Sequence, residues 1–465
     1  MSENAQLALA QLAAELPEGV LLREPASLEA YRWDRANDPR AVSPLAVVRA
    51  ERTEHVQTAV RIAAEHGLPV VPRGAGSGLA AGASPTGPVL VVSLERMRGI
   101  EVDPVGRAAV VQAGALNADV KRAAAAHGLW YPPDPSSFEI CSIGGNIATN
   151  AGGLCCVKYG VTTDYVLGLT VVLADGSAVT LGGPRLKDVA GLSLVKLFVG
   201  SEGTLGIVTE AVLRLIPERA APATIVAVFP DLGEAAQAVI DITRAMRPSM
   251  LEFLDRPTIG AVEDERRMGL DRTAAAMIIV QIDEGGAEAL AEVERLCTAR
   301  GASEYYATKD PDEGDAFVEA RRAVLPAMER LGRPLIEDVG VPVPRLRDLV
   351  LGCERIGAEF GVTVAIVAHA GDGNTHPTLI VDPNDPEQER RVMLAFDAIM
   401  RLATELGGTI TGEHGVGRLK TAWLRENLGD AAYELNLRVK RALDPQGLFN
   451  PGSKFLESEL RGGTA

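Results

Sequence analysis

Basic residues and long apolar runs are both scarce in this sequence. The 465 residues include 46 Lys and Arg against 62 Asp and Glu, which gives a formal net charge of -16. Nucleic-acid binders need clustered basic side chains, so we expect no nucleic-acid partner. No apolar run reaches the roughly 18 residues of a membrane span, and the longest candidates, such as 362–368, have the length of a strand. The composition is that of a globular chain, and we expect no transmembrane segment.

Cysteine is also scarce, and its spacing excludes common metal-thiolate chemistry. The five cysteines are an odd number and contain no C-x-x-C pair, so a zinc ribbon or a cysteine-ligated iron–sulfur cluster is not expected. The stretch 1–19 has no basic lead and carries Glu3 and Glu15 around its apolar residues, which predicts an amphipathic helix and not a signal peptide. Together these features predict a soluble, cytoplasmic protein with reduced thiols.

The pattern of the chain changes near residue 217. Before it, short apolar runs broken by glycine predict a strand-rich α+β unit, and after it longer strands alternate with helices, which predicts an α+β, ferredoxin-like sandwich with an antiparallel sheet. The expected helices are 53–67, 116–128, 231–246, 286–300, 343–360 and 386–406. The expected parts are a first domain at 1–216 with its core at 40–216, a second domain at 217–410, and a C-terminal segment at 411–465 that returns to the first domain.

The segment 70–83, VVPRGAGSGLAAGA, is the first candidate for ligand binding. Its G-x-G-x-x-A spacing satisfies the dinucleotide fingerprint, but that fingerprint must open a helix, and the prolines at 85 and 88 prevent one. The G-K-[ST] ending of a phosphate-binding P-loop is absent as well. Two interpretations remain: a run of backbone N–H groups that cradles a pyrophosphate, or an ordinary glycine-rich turn.

Two further glycine-rich segments, 132–154 and 199–211, favour the ligand interpretation. The first carries Asn146 and Asn150, whose carboxamides can both donate and accept hydrogen bonds, as the edge of a flavin ring requires. We expect this segment to be too glycine-rich for a stable helix. Three such segments on one strand-rich domain imply a long ligand, and a dinucleotide in an extended conformation satisfies that requirement.

The motifs P-R-G-A-G-S-G-L, S-I-G-G-N-I-A-T-N-A-G-G and G-S-E-G-T-L-G-I-V-T-E-A carry a resemblance. They resemble the FAD-binding domain of the vanillyl-alcohol oxidase and p-cresol methylhydroxylase superfamily. Within it, residues 40–455 resemble the FAD-linked D-2-hydroxyacid dehydrogenases, which include D-lactate dehydrogenase, D-2-hydroxyglutarate dehydrogenase and the FAD-binding subunit of glycolate oxidase. The resemblance implies a two-subdomain FAD-binding domain of the p-cresol methylhydroxylase type, followed by an α+β cap domain with an antiparallel sheet.

The same resemblance implies where FAD binds. The pyrophosphate would lie on 73–79, the ribityl chain and flavin along Asp134 and 142–153, and the adenosine end near 202–208. Some relatives attach the flavin through a histidine in the first loop; this chain has Gly76-Ser77-Gly78 there, so we expect non-covalent FAD. The implied cofactor-binding residues are Arg73, Gly74, Ala75, Gly76, Ser77, Gly78, Leu79, Pro133, Asp134, Ser142, Gly145, Asn146, Thr149, Asn150, Gly152, Gly153, Glu202, Gly206, Val208 and Asn450.

Histidines are few, and half of the six fall into two short motifs, H-A-G-D-G-N-T-H at 369–376 and G-E-H-G at 412–415. A strand ends at His369, and the turn residues that follow could bring His376 back beside it. Two histidines and one carboxylate form the ligand set of a catalytic divalent metal, with Glu413 as the third ligand and His414 left free as a base. Any one of these histidines taken alone would be interpreted as structural.

The resemblance implies the same ligands, with zinc or a similar divalent ion, and the histidine of G-E-H-G as the base. His414 would take the hydroxyl proton of the substrate while hydride passes to flavin N5. The substrate carboxylate also needs a cation, and by similarity we expect Arg321 on the helix predicted at 316–331. The alternative for Arg321 is an ordinary charge on a helix surface.

These inferences predict an FAD-dependent enzyme that oxidises a small-molecule D-2-hydroxyacid, such as D-lactate or glycolate, to the 2-oxoacid. Electrons would pass to an external acceptor: an electron-transfer protein, an iron–sulfur subunit or a quinone. D-2-hydroxyglutarate enzymes have a lysine where this chain has Ile336, and the E-D-V-G-V-P element at 337–342 looks more like the glycolate oxidase subunits. The alternatives are D-2-hydroxyglutarate dehydrogenase proper, a subunit that needs a partner for turnover, and a non-redox flavoenzyme like alkyl-dihydroxyacetonephosphate synthase. A homodimer is compatible with each.

Overall fold

The chain folds into two units in the computed structural model, which describes residues 2–382 and 384–461. The first unit contains the residues up to Gly152, Val161–Glu218 and the chain from Glu413 onward. The second unit contains Gly153–Gly160 and Arg219–Gly412. The short segment 153–160 thus leaves the first unit in the middle of its sequence, and the chain returns to that unit after Gly412.

The first unit is built on two main sheets, each with its own hydrophobic core. One sheet has parallel pairings at its centre, with strands in the spatial order Leu21–Leu22, Ala46–Arg49, Leu90–Ser93 and Val70–Arg73. The other is antiparallel, in the order Ile100–Asp103, Ala108–Gln112, Ile207–Arg214, Val166–Val172 and Ala178–Gly182. A third, minor sheet pairs Leu129–Trp130 with Ile216–Pro217.

Helices of the first unit bury their apolar stripes against these sheets. The expected N-terminal helix is confirmed at Glu3–Glu15; Ser2 caps it by accepting the Ala5 N–H at 3.2 Å, and Leu12 lies in the core. The α-helices are Glu3–Glu15, Pro25–Leu28, Thr53–His66, Asn117–Ala125, Ile143–Thr149, Leu194–Phe198, Thr421–Leu428, Asp430–Leu443 and Glu457–Arg461, with 3₁₀ turns at Glu29–Tyr31 and Thr162–Asp164.

The second unit is one large sheet with helices packed on it, and all its pairings are antiparallel. The spatial order is Glu304–Thr308, Ala223–Phe229, Ala276–Ile282, Met250–Asp255, Val364–His369, Asn374–Val381 and Arg333–Ile336, with Val339–Gly340 also paired to Asn374–Val381. Every residue of the two central strands Met250–Asp255 and Ala276–Ile282 is buried, so both faces of the sheet are covered. The expected α+β unit with an antiparallel sheet is confirmed.

Aspartates begin four of the helices on this sheet. Asp231, Asp255, Asp310 and Asp385 each accept N–H groups from the first turn of the helix that follows, as N-cap residues do. The helices of the second unit are Cys156–Tyr159, Leu232–Ala245, Arg256–Arg266, Gly286–Ala299, Pro311–Arg322, Val324–Leu331, Leu346–Phe360 and Pro386–Glu405, with a 3₁₀ turn at Val343–Arg345. The helices expected at 231–246, 286–300, 343–360 and 386–406 lie within three residues of these bounds. The single helix expected at 316–331 is wrong, because the chain forms two helices there, Pro311–Arg322 and Val324–Leu331, which are separated at Ala323.

The carboxylate of Asp283 holds the segment 153–160 in the second unit. Lys158 Nζ donates to Asp283 Oδ1 at 2.5 Å, the Tyr159 hydroxyl donates to Asp283 Oδ2, and an Arg219 terminal nitrogen lies 3.6 Å from Oδ2. The Asp283 side chain is 3% exposed, so these partners compensate a charge that is otherwise removed from water. All three partners are distant in sequence from Asp283, so no local pattern predicts these contacts.

Candidate functional site

The loop after the strand Val70–Arg73 has the geometry of an anion cradle. Arg73 is buried beneath it and donates from its two terminal nitrogens to the Ala83 and Trp33 carbonyl oxygens, at 3.2 and 2.8 Å. Burial lowers the pKa of this guanidinium, and the neighbouring Asp34 opposes that shift. Gly76 has a φ of +73°, and a Cβ there would come within 2.3 Å of Arg73 Nη2, so only glycine fits.

The backbone of this loop is available to a ligand. Within the described ranges, the N–H groups of residues 74–79 find no hydrogen-bond acceptor, although the carbonyl oxygen of Gly76 accepts from Arg35 N–H. Residues 74–79 are each half-buried or exposed, and Arg73, which precedes them, is buried. A run of unused N–H groups on a glycine-rich turn fits the pyrophosphate of a dinucleotide, so the segment is suited to the cofactor that the resemblance implies.

The second glycine-rich segment forms a helix, and the expectation that it would not was wrong. Ile143–Thr149 is helical; Ser142 caps its start by accepting the Gly145 N–H at 3.3 Å, and Asn150 ends it in the left-handed region with a φ of 54°. A Cβ on Gly144 would meet the Cβ of Ala113 at 2.8 Å. Close packing therefore requires glycine here, and the cap together with tertiary contact overrides the low helix propensity.

The carboxamides of this helix hold protein groups. Asn146 is buried; its Oδ1 accepts from Asn117 Nδ2 at 3.0 Å, and its Nδ2 lies 3.2 Å from Cys141 Sγ. Asn150 Oδ1 accepts the Thr163 N–H at 2.9 Å. These contacts fix the backbone of the segment, so a flavin would meet mainly main-chain groups and side-chain surfaces here. The hydroxyl of Thr149 likewise donates to the Gly145 carbonyl oxygen at 3.3 Å.

The remaining predicted cofactor residues of this segment occupy different environments. The Pro133 carbonyl oxygen accepts from Asn117 Nδ2 at 3.2 Å, and Asp134 is half-buried. Gly152 is buried at the end of the first stretch of the first unit, and Gly153 begins the segment that belongs to the second unit. Sequence proximity therefore groups two glycines that the fold assigns to separate units.

The third glycine-rich segment binds the C-terminal part of the chain. Glu202 is buried, and its carboxylate accepts the Val416 N–H at 2.9 Å, the Gly417 N–H at 2.6 Å and Lys454 Nζ at 2.9 Å. A Cβ on Gly415, which has a φ of 89°, would come within 3.0 Å of that carboxylate. Glu202 therefore holds the loop that carries the G-E-H-G motif, so its carboxylate is occupied by protein groups.

Asn450 is likewise occupied by protein groups. Its Oδ1 accepts from Arg418 at 2.8 Å, and its Nδ2 donates to the carbonyl oxygens of Gly82 and Glu202, both at 2.9 Å. The residue is buried and lies next to the strand Val70–Arg73, because the Asn450 N–H donates to the Val70 carbonyl oxygen at 2.8 Å.

The last two predicted cofactor residues, Gly206 and Val208, lie at the strand Ile207–Arg214. A Cβ on Gly206 would meet a Val171 methyl group at 2.8 Å, and Val208 is half-buried in the strand.

The two histidines of the second unit meet across a hairpin. The strand Val364–His369 ends at His369, and the returning strand Asn374–Val381 places His376 opposite Val367. The ring centroids of His369 and His376 lie 5.2 Å apart, with the planes at 88°. A nitrogen of the His369 ring lies within 4.8 Å of a nitrogen of the His376 ring, and both residues are buried. The tight reversal that the sequence predicts is present.

The turn itself explains the glycines and the aspartate between the histidines. Asp372 Oδ1 accepts the Asn374 N–H at 3.1 Å, as turn aspartates do. Gly373 has a φ of +85°, and a Cβ there would meet the Val341 carbonyl oxygen at 2.1 Å. Gly371 approaches Val157 and Leu251 too closely for any side chain. Packing and turn geometry therefore account for Gly371, Asp372 and Gly373, and the two histidines are the residues of this motif that could bind a metal ion.

Each histidine has a buried acidic residue beside its Nδ1 atom, and neither acidic residue is among the site residues predicted from the sequence. Glu252 lies with Oε1 2.8 Å from His369 Nδ1, and Asp338 Oδ1 lies 3.7 Å from His376 Nδ1. Both acidic residues are 0% exposed. A carboxylate that holds Nδ1 is the usual outer partner of a metal-binding imidazole, because it leaves Nε2 for the ion. Glu252 makes this contact with His369, whereas the Asp338 oxygen lies beyond hydrogen-bond distance of His376 Nδ1.

Arg321 is buried, not exposed on a helix surface. Its Nε donates to Glu252 Oε2 at 2.5 Å, and within the described ranges its two terminal nitrogens have no acceptor. Burial by itself would raise the pKa of Glu252, but the adjacent His369 and Arg321 outweigh it and hold that pKa below its ordinary value. The signal in the sequence is Glu252 within the run MLEFL at 250–254, whose other residues are apolar.

Asp338 also binds the start of the G-E-H-G motif and the residue before it. Its Oδ2 accepts from the Thr411 hydroxyl at 2.6 Å and from the Gly412 N–H at 3.0 Å. Gly412 is the last residue of the second unit, and Glu413 is joined to it by the next peptide bond. Within the first unit, Glu413 and His414 are half-buried, and His414 Nε2 lies 3.8 Å from Glu413 Oε1.

Comparisons with known proteins agree with this description. Residues 44–182 match the family described as "FAD binding domain", and residues 218–453 match "FAD linked oxidases, C-terminal domain". p-Cresol methylhydroxylase shares the fold, with a TM-score of 0.78 at 17% identity over 98% of this chain and 97% of that one. The 4-ethylphenol oxidase from Gulosibacter chungangensis gives the same TM-score and identity over 98% of each chain. This is the fold of the p-cresol methylhydroxylase type that the resemblance implied.

Fold and family define an FAD-dependent oxidoreductase. The chain belongs to the FAD-linked oxidases. It is 42% identical over 432 residues to the glycolate oxidase subunit GlcD of Bacillus subtilis (strain 168), covering 91% of this chain and 92% of that protein. It is 34% identical to the D-lactate dehydrogenase of Archaeoglobus fulgidus, covering 91% and 95%. In the described ranges, none of the helices combines the length and apolar composition that crossing a lipid bilayer requires.

Proposed function

We propose that this enzyme oxidises a D-2-hydroxyacid, such as D-lactate or glycolate, to the corresponding 2-oxoacid. The relatives named for glycolate and D-lactate support this substrate class. The observation that carries the proposal is the pair His369 and His376, buried together with an acidic residue beside each Nδ1 atom. Such a pair suits a divalent metal, and zinc is the ion we expect.

The proposed division of roles follows from the chemistry of each side chain. When bound, FAD supplies the hydride acceptor, and the divalent ion acidifies the substrate hydroxyl. His369 and His376 would hold the ion with Glu413, which follows directly after Gly412, the residue bound by Asp338. The terminal nitrogens of Arg321 would bind the substrate carboxylate, since a guanidinium matches its two oxygens. His414 would accept the hydroxyl proton.

The proposed cofactor site uses the main chain of the first unit. The free N–H groups of 74–79 would bind the pyrophosphate, and the helix Ile143–Thr149 would border the flavin. Asp134, the glycines at 145, 152 and 153, and Thr149 would line the ribityl and flavin region. Glu202 and Asn450 would act indirectly, since protein groups occupy their polar atoms and they brace the backbone around the site. No histidine lies in the 74–79 loop, so the FAD would be dissociable.

The electron acceptor would be external to this chain. Cys141, Cys155, Cys297 and Cys353 are buried and Cys156 is half-buried, and in the part of the chain that the structure describes no group of three or more possible metal ligands includes a cysteine, so a built-in iron–sulfur cluster lacks its thiolate ligands. A relative in Escherichia coli (strain K12), 36% identical over 444 residues, is also named a glycolate oxidase subunit. A partner subunit, an electron-transfer protein or a quinone would therefore receive the electrons.

An anaerobic reduction screen tests the proposal. Purified, FAD-loaded protein is mixed with D-lactate, D-2-hydroxyglutarate, the L enantiomers of these two acids, and the achiral glycolate, and the visible absorbance of the flavin is followed. We expect D-lactate or glycolate to bleach the flavin and L-lactate to leave it oxidised. If no 2-hydroxyacid bleaches it, the proposed function is wrong. If bleaching occurs but turnover with a dye is absent until a partner protein is added, the chain is a dehydrogenase subunit.

A further inference from the structure

Glu252 occupies a position between two groups that the proposed function treats separately. It lies in the strand Met250–Asp255, in which all six residues are buried, and it is itself 0% exposed. Its two oxygens lie 2.8 and 3.0 Å from His369 Nδ1, and one of them accepts from Arg321 Nε at 2.5 Å. The Glu252 carboxylate therefore contacts both the proposed metal ligand, His369, and the arginine proposed to bind the substrate carboxylate, Arg321.

The contact with His369 determines which ring nitrogen can bind an ion. A carboxylate facing Nδ1 favours the tautomer that carries its proton there, which leaves the lone pair of Nε2 exposed to a metal. His369 stands at the end of its strand, 3% exposed, so the ring is also held in place by packing. Without Glu252 the imidazole would lose both its preferred tautomer and its fixed orientation.

The contact with Arg321 determines how the guanidinium is presented. Glu252 binds Nε, the nitrogen nearest the chain, so the planar fork of terminal nitrogens points away from the carboxylate that holds it. The helix Pro311–Arg322 supplies the arginine from 69 residues away in sequence. A carboxylate that neutralises a buried cation also sets the orientation in which that cation meets a second anion.

We propose that Glu252 is a positioning residue that orients the metal ligand His369 and the substrate-binding Arg321 together; this inference rests on the proposed function. Loss of the carboxylate weakens metal binding and acid binding at once. A purely structural ion pair between Glu252 and Arg321 would instead affect stability and leave the metal affinity unchanged. The metal affinity is therefore the readout that separates the two roles.

The experiment measures zinc binding to FAD-loaded protein by competition with a chromophoric chelator, with flavin absorbance and thermal stability recorded for each variant. Glu252→Gln is expected to weaken zinc binding about 10- to 100-fold, the usual effect of removing an outer-shell partner, and to raise KM for the hydroxyacid. Arg321→Lys keeps the positive charge beside Glu252, so it should raise KM and leave zinc affinity within about threefold of the wild type.

Two further variants protect the test against trivial loss of folding. Glu252→Met combined with Arg321→Met removes both buried charges, which is tolerated far better than removing one, and it should keep its flavin while binding zinc as weakly as Glu252→Gln. Asp241→Asn is the matched control, because Asp241 is 8% exposed and pairs with Arg300 at 2.7 Å in the same unit without contacting a histidine. It should bind zinc like the wild type.

The outcomes distinguish this inference from the proposed function. Wild-type zinc affinity in both Glu252 variants overturns the positioning role, while bleaching of the wild-type flavin by a hydroxyacid keeps the proposed function intact. If the wild type and His376→Ala bind the same amount of zinc, the proposed metal site is wrong, and the positioning role of Glu252 is wrong with it. Weakened zinc binding in both Glu252 variants, with Arg321→Lys unaffected, supports the positioning role.

Discussion

Replacing Lys440 with methionine should loosen the C-terminal segment beside the 74–79 loop. Lys440 is 1% exposed, and its Nζ donates to the Asp444 carboxylate and to the carbonyl oxygens of Thr204 and Phe449, at 2.7 and 3.0 Å. The Asp444 carboxylate in turn accepts the N–H groups of Leu448 and Phe449, both at 2.8 Å. One ammonium group therefore closes a network around the turn 444–450.

The magnitude follows from what the substitution leaves behind. Methionine fills the volume of the lysine stem but leaves the Asp444 carboxylate buried without its cation, and breaking a buried pair in this way costs about 3–5 kcal/mol. The loss is transmitted to the cofactor loop, because Val70 exchanges hydrogen bonds of 2.8 Å with Leu448 and Asn450 on the same strand that leads to Arg73. We therefore expect weaker FAD retention as well as lower stability.

The assay is urea unfolding of the FAD-loaded protein, followed by far-UV circular dichroism and by the fluorescence of released flavin. Lys187→Met is the control, because Lys187 is exposed, and it should change the free energy of unfolding by no more than about 0.5 kcal/mol. Lys440→Met combined with Asp444→Asn should recover part of the loss, since no uncompensated charge remains. A destabilisation below about 1 kcal/mol for Lys440→Met would contradict this expectation, because the buried Asp444 carboxylate would then be tolerated without its cation.

Three other perturbations have defined outcomes. Burial raises the pKa of Asp255 from 3.8 to about 7. The protonated carboxyl group therefore contributes fully to the free energy of unfolding below pH 4, and this contribution is lost as the pH rises to 7. Asp255→Asn should remove up to about 4 kcal/mol of that pH dependence in urea titrations. Gly76→Ala places a Cβ 2.3 Å from Arg73 Nη2 and should weaken FAD binding at least about tenfold in fluorescence titrations, with Gly87→Ala near the wild type. His376→Ala should abolish tight zinc binding in chelator competition and leave the FAD content unchanged.

Each of these outcomes has a clear opposite. Equal pH dependence in wild type and Asp255→Asn would show that this carboxyl titrates normally. Unchanged FAD affinity in Gly76→Ala would show that the loop does not bind the cofactor in this conformation. For His376→Ala the comparison is His127→Ala, an exposed residue in the turn after the helix Asn117–Ala125, and equal zinc affinity in the two would remove His376 from the metal site.

The sequence predicts most of the helices and the histidine hairpin because their signals are local. Helix bounds follow from apolar periodicity and from caps such as Asp231 and Asp385, which lie directly before the helices they start. The reversal between His369 and His376 follows from a strand end and four turn residues in a row. In these places tertiary structure only reinforces what neighbours in sequence already favour.

The sequence fails where the deciding contact is distant. The helix Ile143–Thr149 forms because Gly144 packs on Ala113, and propensity alone favours a loop there. The roles of Glu252 and Glu202 depend on partners 69 to 252 residues away in sequence. A single acidic residue in a strand or a turn does not identify such distant partners. Glu202 therefore looked like a cofactor residue from its motif, whereas its carboxylate binds the main chain of Val416 and Gly417.

Metal-assisted oxidation of a 2-hydroxyacid is tested by the anaerobic rate of flavin reduction by D-lactate or glycolate, before and after removal of bound divalent metal. We expect bleaching of the metal-loaded enzyme, a loss of at least about 100-fold in rate after chelation, and recovery when zinc is restored. An unchanged rate in the chelated protein, with its metal content shown to be negligible, would contradict metal-assisted oxidation of a 2-hydroxyacid.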